Sequence, residues 1–186
     1  MTVKEIIKSA CALVGREDVV EYVNDNGATV GADTLPTLNA MVSLLNIVIG
    51  ELAGTFIPMT KLEKVNAKNQ RVYYADLLER CLKVIAVYDN NGNKIDYAHT
   101  PEYMDVFTDN VQVEYQFIPP NYDLESEIGY TDADISAGAL AFGLCAEYSI
   151  SKGSFDQAVM WHERYVDAVS AKKKLKNGTV KKRSFV

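Results

Sequence analysis

Residues 111–117 read Val-Gln-Val-Glu-Tyr-Gln-Phe, and this alternation of apolar and polar side chains decides the fold class. A period of two residues predicts a β-strand with one face on a core and the other facing water. Pro119 and Pro120 follow, and they end the strand because proline has no backbone N–H to donate to a ladder. The chain therefore contains a sheet.

Upstream of this strand, the sequence predicts a β-hairpin. Residues 82–88 are rich in β-branched side chains, residues 89–93 read Asp-Asn-Asn-Gly-Asn, and residues 94–97 return to an extended pattern. An Asn-Gly pair between two such runs is the turn chemistry that hairpins favour. Together with weaker extended segments nearer the N-terminus, these patterns predict a β subdomain of about five strands over residues 56–120.

Helical patterns precede the β subdomain. The T-x-x-E capping pattern at the N-terminus predicts a helix over residues 2–15. Pro36 fits the first turn of a second helix over residues 34–53, since a missing N–H has no cost at that position. The polar, turn-rich residues 16–33 between these helices predict a loop.

Two further helices follow the β subdomain, over residues 131–152 and 154–176, with Gly153 between them. The first is rich in Ala and Gly, which predicts burial on several sides and close approach by neighbouring helices. The candidate packing residues in this hairpin are Gly138, Ala141, Gly143, Trp161 and Tyr165. The predicted fold is α+β, a helical bundle from both ends of the chain with an inserted, mostly antiparallel β subdomain, in one domain over residues 1–176.

Leu44 and Ile47 lie outside the main apolar stripe of the second helix. An apolar residue on the wrong side of an amphipathic helix indicates a second contact surface. We predict that these two side chains contact a neighbouring subunit or another part of the bundle.

The charge is distributed unevenly along the chain. The net charge is −6, but residues 1–171 carry 12 cations and 25 acids, a net charge of −13. The last fifteen residues carry seven cations and no acid: Lys172, Lys173, Lys174, Lys176, Lys181, Lys182 and Arg183, with Phe185 near the end. We predict that residues 177–186 form a flexible basic tail that binds an acidic partner.

The sequence contains no recognisable catalytic or metal-binding motif. His99 and His162 have no second His or Cys at ligand spacing, and the nucleophile and phosphate-loop motifs are missing. The acidic pairs near residues 125–127 and 132–134 are better explained by the start of a helix, where acids favour the dipole. We therefore expect no enzymatic activity and no cofactor.

The remaining composition points to a soluble, intracellular protein. Cys11, Cys81 and Cys145 lie far apart and are odd in number, which fits a reducing compartment. The longest apolar stretch, residues 41–53, is shorter than the ~20 residues of a membrane span, so we expect no membrane association.

The order of these elements resembles tailed-bacteriophage head-to-tail adaptor proteins. The closing half carries the resemblance: a strand that ends at Pro119-Pro120, the small-residue helix AGALAFGLCAEYSISKG over residues 137–153, and an A-x-x-W-x-x-x-Y pattern in the last helix. That pattern consists of Ala158, Trp161 and Tyr165. The N-terminal helix and the long second helix fit the front half, and the β insertion is more like that of the tail-tube adaptors of short-tailed phages.

The resemblance implies a structural virion protein without catalytic residues. Such adaptors form a ring, usually of twelve copies, that docks under the portal protein, joins a downstream tail or neck protein and extends the DNA channel. DNA would be only a transient occupant of that channel. The expected location is the virion neck, with assembly in the host cytoplasm.

Two other classes of function stay open. The first is a non-viral interaction module whose basic tail binds nucleic acid. This alternative does not explain why residues 1–171 are acidic. A small enzyme with an unrecognised site is the second class. Light scattering on the purified protein and the neighbourhood of the gene distinguish these classes.

Overall fold

A computed structural model describes residues 1–25, 31–131 and 133–176, with side chains up to residue 172. The chain forms two compact units, where the sequence predicted one domain. The helical unit comprises Met1–Ile49 together with the chain from Tyr122 onward, and the β unit comprises Gly50–Asn121. The sequence-based bounds of the β subdomain, residues 56–120, lie inside the β unit.

The helical unit begins with α1, Val3–Leu13, capped by the predicted reciprocal bonds between Thr2 and Glu5. Gly15 then adopts a left-handed φ of +73°, and the N–H of Arg16 bonds the Cys11 carbonyl at 2.8 Å. This is a Schellman ending, for which glycine is suited because it has no Cβ.

A second helix, α2, spans Glu17–Asn24, where the polar sequence of residues 16–33 predicted a loop. The reason is local: Val19 and Val23 are buried one helical turn apart, and Glu17 and Asp18 favour the positive end of the helix dipole. Turn-forming residues follow α2 directly, so the helical spacing of Val19 and Val23 did not stand out in the sequence.

The long helix α3 spans Thr34–Glu51, close to the predicted 34–53, and continues into a π turn at Leu52–Phe56. Its buried side chains recur at helical spacing, as expected for a helix with one face in a core. They are Thr34, Thr37, Leu38, Met41, Leu45, Val48 and Ile49.

The C-terminal hairpin consists of α4, Ala137–Ser151, and α5, Phe155–Lys176, and Gly153 between them has a left-handed φ of +73°. The prediction that α4 begins at Thr131 is wrong. Thr131 and Asp134 form a separate turn, in which the Asp134 carboxylate accepts from the Thr131 N–H and hydroxyl. Ser136 is extended and caps the helix instead, accepting from the Ala139 N–H.

Seven strands, two more than predicted, form the β unit within its described residues: β1 Met59–Asn66, β2 Arg71–Tyr73, β3 Arg80–Tyr88, β4 Lys94–Ile95, β5 Ala98–His99, β6 Tyr103–Asp105 and β7 Asn110–Ile118. One sheet has the order β1-β7-β3-β4 and the other β2-β6-β5, and every pairing is antiparallel. The extra strands β5 and β6 are only two and three residues long, too short for a periodic signal.

The two strongest strand predictions are confirmed. The alternating segment becomes β7, a central strand whose Val111, Val113 and Tyr115 are buried. In the β3–β4 hairpin the Asp89 carboxylate accepts from the N–H groups of Asn91 and Asn93, both at 2.8 Å. With helices from both chain ends and antiparallel sheets between them, the α+β class is confirmed.

Candidate assembly surfaces

The exposed face of α3 is uncharged along almost its whole length. The sequence from Thr34 to Gly50 contains no Asp, Glu, Lys or Arg. Ile47 is 57% exposed and Leu44 is half-buried, three residues earlier on the same flank of the helix. Leu35 adds another exposed apolar side chain. A helix face that meets only water usually carries charges, so this face fits a surface that another molecule covers.

By length and composition alone, the segment Thr34–Phe56 is also long and apolar enough to cross a membrane. This corrects the expectation from residues 41–53, because the helix begins earlier and continues through the π turn. Core helices of soluble proteins meet the same criterion. Here the Asn46 amide exchanges two hydrogen bonds with the Tyr122 backbone, at 3.0 and 2.8 Å, which ties α3 into the helical unit.

Arg16 holds the first turn of α3 in place. Its guanidinium donates to both carboxylate oxygens of Asp18 at 2.8 Å, to the Thr37 hydroxyl at 2.7 Å and to the Tyr148 hydroxyl at 3.2 Å. The hydrogen bonds from Arg16, with one from the Thr34 hydroxyl, hold the pKa of Asp18 well below its usual range. This network fixes α3 against the α1–α2 corner and α4.

Gly143 is a position of close helix packing in the helical unit. A Cβ at this position would lie 2.8 Å from Cγ1 of Val48 and 3.1 Å from Cδ2 of Tyr165, so α3 and α5 both press against α4 there. Ala141 is fully buried on the same helix. Gly138 is different, because it is exposed and a Cβ there would have no heavy atom within 4 Å. The prediction of close packing at Gly138 is therefore wrong: α4 starts at Ala137, and Gly138, its second residue, lies on the exposed side of the helix.

The aromatic pair of the predicted motif lies between α4 and α5. Trp161 stacks on Phe142 with ring centroids 5.9 Å apart and planes 17° from parallel, and the Arg164 guanidinium lies 5.0 Å from the Trp161 ring. Tyr165 is buried against Gly143. Both aromatic residues act in helix packing within the chain.

A second exposed apolar flank lies on α5. Phe155 is 67% exposed and Val159 is 59% exposed, one helical turn apart, and His162 and Val166 continue the same flank. Helical spacing in the sequence predicts one apolar stripe of Phe155, Ala158, Val159, His162, Tyr165, Val166 and Val169. That prediction is wrong for Phe155, Val159 and His162, which are exposed. The buried stripe of α5 is rotated towards Ala158, Trp161, Tyr165 and Val169.

Most of the basic C-terminal segment predicted to bind a partner, Lys172–Phe185, lies outside the described residues. Lys172 is half-buried near the end of α5. The backbone of Lys173, Lys174 and Lys176 is helical, but their side chains are outside the described part. Lys181, Lys182, Arg183 and Phe185 lie wholly outside it, so the flexibility of residues 177–186 stays a prediction.

Within residues 1–25, 31–131 and 133–176, no group of three or more His, Cys, Asp or Glu side chains is arranged to hold a metal ion. Burial raises the pKa of the Cys11 thiol to about 11 and that of the Cys145 thiol to about 12. Both sulfurs are therefore held as neutral thiols in the core of the helical unit.

Comparison with known proteins adds no relative: no protein-family model matches the chain, and no curated protein is significantly similar to it in sequence.

Proposed function

We propose that this chain is a structural virion protein of a tailed phage, a head-tail adaptor that forms a ring between the portal and the tail. The observation that carries the proposal is the pair of exposed apolar flanks on the helical unit, one around Ile47 on α3 and one around Phe155 and Val159 on α5. A closed ring needs a head-to-tail contact between two different surfaces of each copy. Two separate apolar flanks on one unit meet that requirement.

The charge of the chain supports the same function. Residues 1–171 carry a net charge of −13, and a DNA channel works best when its wall repels the phosphate backbone. The seven cations of the last fifteen residues are opposite in sign and would attract an acidic surface of the portal protein. In this proposal the chain assembles in the host cytoplasm and ends in the virion neck, with a tail or neck protein beneath it.

The test is the mass of the assembly. The purified full-length chain is analysed by size-exclusion chromatography with light scattering, alone and after mixing with a portal protein from the same genome. We expect a ring of about twelve copies in the mixture, visible as an annulus by negative-stain electron microscopy. A chain that stays monomeric in both samples would overturn the proposal.

The basic tail favours one alternative function, a non-viral interaction module that binds nucleic acid through residues 172–186. That alternative predicts a salt-sensitive DNA or RNA shift in a gel by the full-length chain, with no ring under any condition. The two proposals therefore give opposite results in the same two assays.

A further inference from the structure

The first half of β3 has an open edge. Strand β3 pairs with β7 from Arg80 to Tyr88, but on its other side β4 pairs only with Val87 and Tyr88. Over the first seven residues of β3, no described strand pairs on that side. An unpaired strand edge presents N–H and C=O groups that another extended chain can bind.

Two irregularities change the shape of this edge. The register of β3 against β7 shifts between Cys81 and Lys83 and again between Val84 and Ala86. The residues inserted at these points, Leu82 and Ile85, are both exposed although both are apolar. β-bulges bend a strand and redirect side chains, and here they place two apolar groups along an unpaired edge.

A groove of about 420 Å³ lies beside the open edge, within the β unit. Its lining includes residues 81–84 of β3, the rings of Tyr74 and Tyr97, and residues 99–101. The Tyr97 hydroxyl donates a long hydrogen bond of 3.5 Å to the Val84 carbonyl. This carbonyl therefore accepts from a side chain at a position where a neighbouring strand would supply an N–H.

The open edge of β3 also carries positive charge, although residues 1–171 as a whole are acidic. Arg80 and Lys83 are exposed, and neither has an ion-pair partner among the described residues. Lys61 of β1, in contrast, is paired with Glu79 at 3.2 Å. The cations at the open edge are therefore available to an external acidic group.

We propose that the open edge of β3 and its groove bind an extended acidic segment of another protein by strand addition. The backbone of that segment would pair with β3, one apolar side chain would enter the groove between Tyr74 and Tyr97, and flanking acidic side chains would meet Lys83 and Arg80. Backbone pairing supplies affinity in this mode, and the pockets and charges supply specificity.

The test uses an array of synthetic heptapeptides in which Val, Ile, Leu or Tyr alternates with acidic, basic or neutral polar residues. Full-length protein is applied, and the strongest peptides are then measured in solution by fluorescence anisotropy. We expect binding by the acidic alternating peptides. The same peptides with proline at the paired positions should not bind, because proline removes the ladder donor while the charge is kept.

Two matched variants locate the site. Lys83→Glu should weaken binding at least about tenfold, or about 1.4 kcal/mol. Lys64→Glu makes the same change on the exposed face of β1, at the opposite edge of the sheet, and should leave binding unchanged. Equal weakening by both variants, equal binding of the proline peptides, or no binding by any acidic alternating peptide would each overturn the proposal. The result is independent of ring formation, because peptide affinity is measured whatever the oligomeric state.

Discussion

Gly138 and Gly143 show how differently one residue type behaves at two places in α4. A Cβ at Gly143 would lie 2.8 Å from the Val48 side chain, whereas a Cβ at Gly138 would touch nothing. Glycine weakens a helix unless its small size is needed, so only Gly143 has a packing reason to be glycine.

Gly143→Ala should therefore destabilise the protein by about 1–3 kcal/mol, because the added methyl overpacks the junction of α3, α4 and α5. Gly138→Ala is the matched control in the same helix and should leave stability unchanged or slightly higher. Urea unfolding monitored by circular dichroism measures both. Equal effects of the two substitutions would contradict the close approach at Gly143.

Asp18 should make stability depend on pH. Arg16 holds the pKa of Asp18 well below its usual value in the folded protein. The contribution of Asp18 to the free energy of unfolding is therefore present in full above the unfolded pKa of about 4. It is lost as the pH falls through the folded pKa. Asp18→Asn should then destabilise the protein at pH 7 and have less effect near pH 3.

The measurement for Asp18 is the urea midpoint of the wild type and the variant between pH 3 and 7. Asp96→Asn, at an exposed position of the β unit, makes the same change of side chain and serves as the comparison variant. A difference for Asp18→Asn that stays constant down to pH 3 would show that its ion pair does not contribute.

Among the elements, α3 carries the clearest assembly prediction. Ile47→Asp should block ring formation while leaving the monomer folded, because the side chain is exposed and its replacement puts a charge on an apolar contact. Leu44→Asp should affect assembly and folding together, since Leu44 is half-buried. Ala12→Asp adds the same charge at an exposed position of α1 and is the control.

Light scattering measures the oligomeric state of each variant, and thermal unfolding measures the stability of its monomer. If Ile47→Asp assembles as well as Ala12→Asp does, the uncharged face of α3 is not a subunit contact.

Elements whose signals are local were predictable from the sequence. The β3–β4 hairpin follows from its Asp-Asn-Asn-Gly-Asn turn, and β7 follows from strict alternation. The start of α4 was not predictable, because both Thr131-Asp134 and Ser136 offer capping side chains and only the backbone distinguishes them. The candidate packing sites could not be distinguished from the sequence either. Gly143 and Gly138 lie in the same helix, and they differ only in which atoms of the neighbouring helices lie close to them.

For the whole molecule, the prediction concerns the tail. Truncation after Lys176 should leave the described body folded, since every buried residue of the described part precedes it, and should weaken attachment to the portal protein. Attachment of the full-length chain should also weaken with salt, because the Debye length falls from about 10 Å at 0.1 M to about 3 Å at 1 M. Co-sedimentation with portal complexes measures both effects.

A variant with Lys181, Lys182 and Arg183 changed to Gln separates charge from length. It should behave like the truncation at physiological salt if attraction depends on charge. If the truncated chain joins portal complexes normally, and the full-length chain shifts DNA at physiological salt, the tail is a nucleic-acid arm instead.

The helical unit is assembled from both ends of the chain, and this has a consequence for its synthesis. The Thr2–Glu127 bridge and the contacts of α1 with α4 join residues more than 100 positions apart. At about 5–20 residues per second, the ribosome needs roughly 6–25 s to make the segment between α1 and α4. During that time the β unit is completed, while Ile6, Ile7 and Cys11, buried in the finished protein, lack their partner helix. We therefore expect the nascent N-terminus to be a chaperone client until α4 emerges.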